Sequence, residues 1–298
     1  MPRNLLVASD LSLRSKPALQ RALILRRAWQ ARLRVLHVVD ADCLPEAAPE
    51  EERLAREALA RDLAAPDATG ATGDIDATDI DPPQILVRSG DPFEEILSAA
   101  EEAKAELIIL GAHRKRRLLD MFIGTTAERV IRRGLRPTLM VHGEAVAPWR
   151  HVMLAVDMSE ASLQAVRQVQ ALGVLDGAKV TLVHAFDPVA RFSMSYTGMD
   201  DGRLRTYIDD TRAEATRALR TFLQQVELEA AARTVLVEGN APQAIAKAVA
   251  DRGADLLVVG TKGASGIKRL VLGSVAEEIL DSAAVDVLAV PTDPEVGK

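Results

Sequence analysis

The chain has 298 residues, 48% hydrophobic and 27% charged, which is ordinary for a soluble protein able to bury a sizeable core, and its length suits two ordinary domains. A formal net charge of −6 argues against a nucleic-acid binder that works by neutralising phosphates. No segment approaches the run of about 18 apolar residues expected of a membrane-spanning helix.

From the N-terminus, Met1-Pro2-Arg3-Asn4 leads directly into a strand-like run, Leu5–Ala8, without the charged-then-apolar pattern of a signal peptide. Ser12 follows as a candidate helix N-cap. The single cysteine, Cys43, excludes an intramolecular disulfide framework and fits a reducing compartment, so the expected location is the cytoplasm. A charged helical segment is expected over Glu50–Ala64, then a polar, aspartate-rich surface loop over Asp67–Asp81. The basic run Arg114-Lys115-Arg116-Arg117 is local and does not reverse the acidic balance.

The chain then repeats itself. LLVASDLS from Leu5 returns as VMLAVDMS from Val152, which places Asp10 and Asp157 147 positions apart. VLHVVD around His37 returns as LVHAFD around His184 at the same spacing. SGDPFEEI matches EGNAPQAI, ELIILGAH matches DLLVVGTK, and GTTAERVI matches GSVAEEIL, now 149 apart, and PTLMVH matches VDVLAV. Six collinear blocks that drift by two residues define two copies, each long enough to bury its own core. The expected domains are residues 1–143 and 149–298, joined near Gly143–Pro148 by a stretch too short to let the copies tumble freely.

The second copy shows its rhythm clearly. Val152–Val156, Val180–Val183, Thr234–Val237, Leu256–Val259 and Val287–Val290 are short apolar runs rich in β-branched residues, as in strands buried on both faces. Helical spacing fills the gaps at Ser159–Leu172, Leu204–Ala232 and Ala241–Ala250, with Ser159 as N-cap. Alternating strands and helices predict an α/β fold: two doubly wound, Rossmann-like domains, each with a mostly parallel five-stranded sheet flanked by helices.

In such sheets ligands bind beyond the carboxyl ends of the strands, where the strand order reverses. After the fourth strand the second copy reads Gly260-Thr261-Lys262-Gly263, and nine residues later Gly273-Ser274-Val275 opens a helix. Glycines let the backbone approach a ligand, and the N–H groups of a helix start, aided by Ser274 Oγ and the Lys262 charge, form an anion site. This pattern resembles the signature of the universal stress protein family, specifically its tandem two-domain members: glycine, two residues, glycine, nine residues, then glycine with serine or threonine. Gly260, Gly263, Gly273 and Ser274 match it without a gap, and the resemblance covers essentially the whole chain.

The resemblance implies an adenine-nucleotide site in the second copy. Ala155, Val156 and Asp157 would lie near adenine and ribose, and Ala185 would offer backbone hydrogen bonds to adenine. Gly260, Thr261, Lys262, Gly263, Gly273, Ser274 and Val275 would surround ribose and phosphates, and Gly239 would line the same cleft. It also implies packing through the last strands, Thr138–Val141 and Val287–Val290, and admits homodimerisation. The bound species is expected to be ATP, with Mg²⁺ as its phosphate counter-ion. Asp157 has a second reading as a cap for the following helix, and His184 reads as a packed or hydrogen-bonded strand-end residue rather than a base.

In the first copy the loop reads Gly111-Ala112-His113-Arg114 and later Gly124-Thr125, so Arg114 stands where the second copy has Gly263. The first copy is therefore expected not to bind ATP in the family manner, although an arginine can hold another anion. The function expected is a stress-response sensor or regulator. The sequence lacks a Walker-type loop, a kinase motif set and clustered metal ligands, and no catalytic residue is assigned. Two alternatives stay open: slow ATP hydrolysis or autophosphorylation at the Ser274 loop, and an interaction protein that binds no nucleotide or a different ligand in its first domain. No membrane or nucleic-acid partner is expected.

Overall fold

The apolar β-branched runs become strands, and the amphipathic stretches between them become helices laid on the sheet. A computed structural model describes residues 3–40, 48–65, 81–112, 126–145, 147–188, 201–228, 231–261 and 272–292. Cys43, the basic run 114–117 and nearly all of the expected loop at 67–81 lie outside the described residues. The first copy runs β1 (Asn4–Ala8), α1 (Lys16–Trp29), β2 (Arg32–Asp40), α2 (Ala48–Ala64), β3 (Gln84–Gly90), α3 (Pro92–Glu102), β4 (Leu107–Gly111), α4 (Thr126–Arg133) and β5 (Thr138–Val141). The second runs β6 (His151–Ala155), α5 (Glu160–Ala171), β7 (Lys179–Phe186), α6 (Asp201–Gln225), β8 (Ala232–Glu238), α7 (Ala241–Arg252), β9 (Leu256–Gly260), α8 (Ser274–Ser282) and β10 (Asp286–Val290).

The chain divides into two compact units, one of residues up to Pro148 together with Ala284–Pro291, the other centred on Trp149–Ala283. In the first unit the strand order is β3-β2-β1-β4-β5-β10. Neighbours from β3 to β5 are parallel, and β10 lies antiparallel to β5 with Val287 opposite Met140. The strand pairing implied for 138–141 and 287–290 is thus present. In the second unit the order is β9-β6-β7-β8, all parallel. The order reverses beside β1 in the first unit and beside β6 in the second, so each sheet has a switch point flanked by two crossover helices. Apolar residues fill the central strands: Leu107 to Leu110 in β4 and Leu256 to Val259 in β9 are all buried, as parallel strands covered on both faces require.

Several boundaries differ from the sequence reading, two of them for a clear physical reason. Ser12 is not the cap of α1: the helix starts at Lys16, and its N-cap is Ser15. Pro17 sets this start, because it sits at the first positions of the helix, where a missing N–H and a fixed φ are tolerated. A helix begun at Ser12 would carry that proline into its interior. The second copy has Gln164 at the matching place and keeps Ser159 as its cap. The long charged helix ends at Gln225 rather than Ala232. Glu227 turns into the left-handed region at φ 56°, and Leu228 N–H returns to the Leu223 carbonyl, so burial of Val226 and Leu228 stops a helix that alanine propensity would extend.

One buried ion pair fixes β10 in the first unit. Arg21 of α1 donates from Nε to Asp286 Oδ2 at 3.0 Å and from Nη1 to the Ala147 carbonyl at 2.6 Å. Asp286 Oδ1 accepts the His142 N–H at 3.1 Å. The pair occurs once, since the matching positions are Gln168 and Thr138.

His151, at the start of β6, is buried with both ring nitrogens engaged: Nδ1 on the Arg252 carbonyl at 3.2 Å and Nε2 on Thr181 Oγ1 at 2.9 Å. Burial, and secondarily the Lys179 charge, push its pKa below the ordinary histidine value. The unfolded chain therefore binds this proton more readily than the folded one. Stability from His151 is complete above pH of about 6.5 and declines as pH falls through that value. Urea titrations at pH 7.5 and 5.5 should show that decline, and His151→Gln should flatten it.

Candidate functional site

At the switch point of the second unit, β6 and β9 end side by side and open a cleft of about 260 Å³. Ala155, Val156 and Asp157 enter it from β6, His184 and Ala185 from β7, and Val259 and Gly260 from β9. Gly273, Ser274, Val275 and Ala276 close it from the start of α8, and Ala241 and Ile245 from the first turns of α7. Eight of the residues chosen from the sequence therefore meet at one place. Thr261 is buried just past Gly260 and is not on the cleft wall, and its carbonyl accepts the Gly273 N–H at 2.9 Å. That bond ties together the two ends of the glycine motif. Gly239 follows β8 with its N–H on the Phe186 carbonyl at 3.0 Å, and Ala241 rather than Gly239 lines the cleft. Lys262 and Gly263 lie outside the described residues.

The turn after β6 shows why Asp157 is an aspartate. Its carboxylate accepts from Ser159 N at 3.0 Å, Ser159 Oγ at 2.5 Å and Ser162 Oγ at 2.6 Å. Ser159 Oγ in turn accepts the Ser162 N–H at 3.2 Å and caps α5. Asp157 thus organises the turn that carries the helix cap and also lines the cleft. Between them Met158 sits at φ 60°, a left-handed conformation uncommon for a bulky residue, and Leu11 in the first copy has the same φ. A strained turn repeated at the mouth of both clefts marks them as built alike. Ser159→Ala should destabilise the second unit by about 1 kcal/mol through loss of the cap, read from its urea midpoint.

His184 Nδ1 bonds the Val156 carbonyl at 2.8 Å, and His37 bonds the Ser9 carbonyl at the same distance in the first copy. Each histidine pins the carbonyl end of its central strand. At α8 the N-cap is Gly273, with no side-chain hydrogen bond to the first turn. Among the described residues no N-cap side chain takes up these amides, which is the condition for an anion site at a helix start. Ser162, Ala241, Ile245 and Ala276 also line the cleft but were not picked from the sequence. Ser162 repeats Ser15, and Ala241 and Ile245 lie one helical turn apart, which were the available signals.

The first unit has the equivalent cleft, about 490 Å³, lined by Ser9, Asp10, Arg14, Ser15, Gly111 and Arg129 among others. Burial pushes the Asp10 carboxyl up, but hydrogen bonds from Ser12 and Ser15 outweigh it and hold the group below the usual carboxylate range. Gly111 is needed for close approach: a Cβ there would meet the Arg14 carbonyl oxygen at 2.9 Å. His113, Arg114, Gly124 and Thr125 lie outside the described residues. Among the described residues no group of three or more His, Cys, Asp or Glu side chains is placed to hold a metal, and no helix is long and apolar enough to cross a membrane.

Comparison with known proteins matches each copy separately. The universal stress protein A homolog of Haemophilus ducreyi is 30% identical over 143 residues, 48% of this chain and 96% of its own length. A universal stress protein of Thermus aquaticus is 31% identical over 144 residues, 48% of this chain and 98% of its own. Each relative spans a single copy. Among solved structures, a universal stress protein from Archaeoglobus fulgidus covers 97% of this chain with 98% of its own, at a TM-score of 0.69 and 18% identity. A functionally unknown protein from Pseudomonas aeruginosa covers 98% of this chain with 93% of its own, at a TM-score of 0.63 and 20% identity. The model of the universal stress protein family matches residues 1–142 and again 148–291. With the repeated fold and the twice-matched family, the chain belongs to the universal stress protein family as a tandem two-domain member.

Proposed function

We propose that the protein binds ATP in the cleft of its second domain and acts as a nucleotide-dependent stress sensor or regulator in the cytoplasm. The observation that carries this reading is the convergence of Ala155–Asp157, Ala185, Gly260 and Gly273–Val275 on one cleft at a switch point. The adenine would lie against Val156, Ala185 and Ile245. The phosphates would run toward the start of α8, where the N–H groups and helix dipole meet negative charge without competition from a side-chain cap. Lys262 and Gly263 complete the glycine motif in sequence and belong to the same proposal.

Mg²⁺ would accompany the phosphates, which supply most of its oxygen ligands together with water. Ser274 Oγ, at the cleft edge, is the protein group suited to join them. The Asp157 carboxylate already accepts from Ser159 and Ser162, so its role is to organise the turn rather than to act as a base. That assignment favours a binding protein over a hydrolase. The tandem arrangement gives one chain the two domains that a homodimer would otherwise supply.

The test is calorimetric titration of the purified chain with ATP, alongside mass spectrometry of small molecules it releases on denaturation. One nucleotide per chain is expected. No binding at millimolar ATP would end the proposal in favour of an interaction protein, and steady phosphate release would favour the enzyme.

A further inference from the structure

The two clefts share a plan and differ in charge. Arg14 lines the first cleft where the second copy has Ala161, and Arg129 lines it where the second has Glu278. Ser9 replaces Val156 at the end of the central strand, so a hydroxyl stands where the second cleft offers an apolar wall. Asp91 replaces Asn240 and returns one negative charge. Across these positions the first cleft is more positive by two charges.

Arg129 is also held in place. Its guanidinium lies over the Phe93 ring, 4.3 Å from the centroid, while Nη1 donates to Asp91 Oδ2 at 3.2 Å. Asp91 in turn caps α3 through the Phe93 and Glu94 amides, so ring, carboxylate and helix start together fix the arginine at the cleft wall. A guanidinium has five donors, and one bond to Asp91 leaves capacity for an anion. The carboxylate of Asp10 and the paired hydroxyls of Ser9 and Ser15, 2.9 Å apart, give the same cleft a polar wall. Asp10 would repel a phosphate placed beside it and accept from a hydroxyl.

We propose that the first cleft binds a hydroxyl-bearing phosphomonoester, with Arg14 and Arg129 on the phosphate and Asp10 with Ser9 on the hydroxyls. Two guanidinium groups suit a compact phosphate dianion, because each can donate to it in parallel. The body of the ligand would rest on Val38 and Ile96, which line the same cleft. This site needs no complete glycine loop, so the departure at Arg114 does not abolish it. The two domains then take two classes of ligand.

The probe is ribose 5-phosphate, titrated calorimetrically into the full chain, with ribose and inorganic phosphate as partial ligands. Binding of ribose 5-phosphate is expected, with ribose weaker by about 100-fold, since two charge-assisted contacts are lost. Arg14→Ala with Arg129→Glu, which copies the second cleft, should weaken ribose 5-phosphate by a similar factor. Arg14→Lys with Arg129→Lys keeps the charges and should bind better than that pair. Gly263→Arg should leave the affinity unchanged, which separates this site from the second cleft. Neither arginine is in the core, and a circular dichroism melt checks that the variants fold. Equal affinity in the Ala/Glu variant, equal affinity for ribose, loss in Gly263→Arg, or no binding by the intact chain at millimolar probe would each overturn the proposal. Inorganic phosphate binding as tightly as the ester would do so too, by reducing the site to a phosphate contact.

Discussion

Arg21→Ala will destabilise the first unit by about 3–5 kcal/mol, the range expected when one partner of a buried ion pair is removed. The side chains of Arg21 and Asp286 are 7% and 4% exposed, so water cannot take over the lost contact. The carboxylate would keep the His142 N–H but lose the Arg21 guanidinium, and the Ala147 carbonyl would lose the Arg21 N–H. Because Asp286 belongs to β10, the loss should appear first as faster hydrogen exchange along β5 and β10, and then as a lower urea midpoint. Arg21→Met combined with Asp286→Leu should recover most of the stability, since replacing both charges removes the desolvation cost along with the attraction. A double variant as unstable as Arg21→Ala would show that the pair contributes more than it costs to bury. Lys16→Ala supplies the contrast. Lys16 bonds Asp62 at 3.0 Å with its side chain 45% exposed, and its loss should cost less than about 1 kcal/mol.

That ion pair also shows where a sequence stops being legible. The strands could be read directly, because apolar β-branched runs such as Leu256–Val259 leave few other ways to be buried. The duplication told which runs correspond, and the glycine motif told at which end of the sheet a cleft opens. Arg21 and Asp286 are 265 positions apart and each looks like a surface charge on its own element. The family resemblance implies that β10 is laid against β5, but nothing local says that a charge is sealed beneath it. Helix starts were legible only where no stronger constraint intervened: Ser159 caps α5 as expected, while Pro17 moves the start of α1 to Lys16. The cleft followed the same rule. Gly260, Gly273, Ser274 and Val275 of the motif region and the strand-end residues Ala155–Asp157 and Ala185 line the cleft as expected, whereas Ile245 and Ala276, which reach it only through helix packing, are not legible in the sequence. Arg129 was invisible because its meaning comes from Phe93 and Asp91, gathered around it by the fold of α3 against α4.

The sharpest test of the second cleft exchanges the two residues that break the symmetry of the motif. Gly263→Arg should lower ATP affinity by about 100-fold or more. An arginine side chain would fill space that the backbone needs in order to reach the phosphates, and any positive φ at that position would add strain of about 1–3 kcal/mol. Isothermal titration would read this as loss of the single site, while the thermal melt should stay near that of the parent, because the position falls in neither β9 nor α8. In the other direction, Arg114→Gly regenerates the complete spacing in the first copy: Gly111, two residues, glycine, nine residues, then Gly124 and Thr125. A second, weaker ATP site should then appear, raising the stoichiometry toward two. It should be weaker because Ser9 stands where Val156 offers an apolar face to the adenine. If Gly263→Arg keeps full affinity, the glycine is a turn residue and the nucleotide reading must rest on the helix start alone. If Arg114→Gly gains nothing while Gly263→Arg loses everything, the motif is necessary but not sufficient. The difference between the copies must then be sought in the walls of the cleft, at Ser9, Arg14 and Arg129.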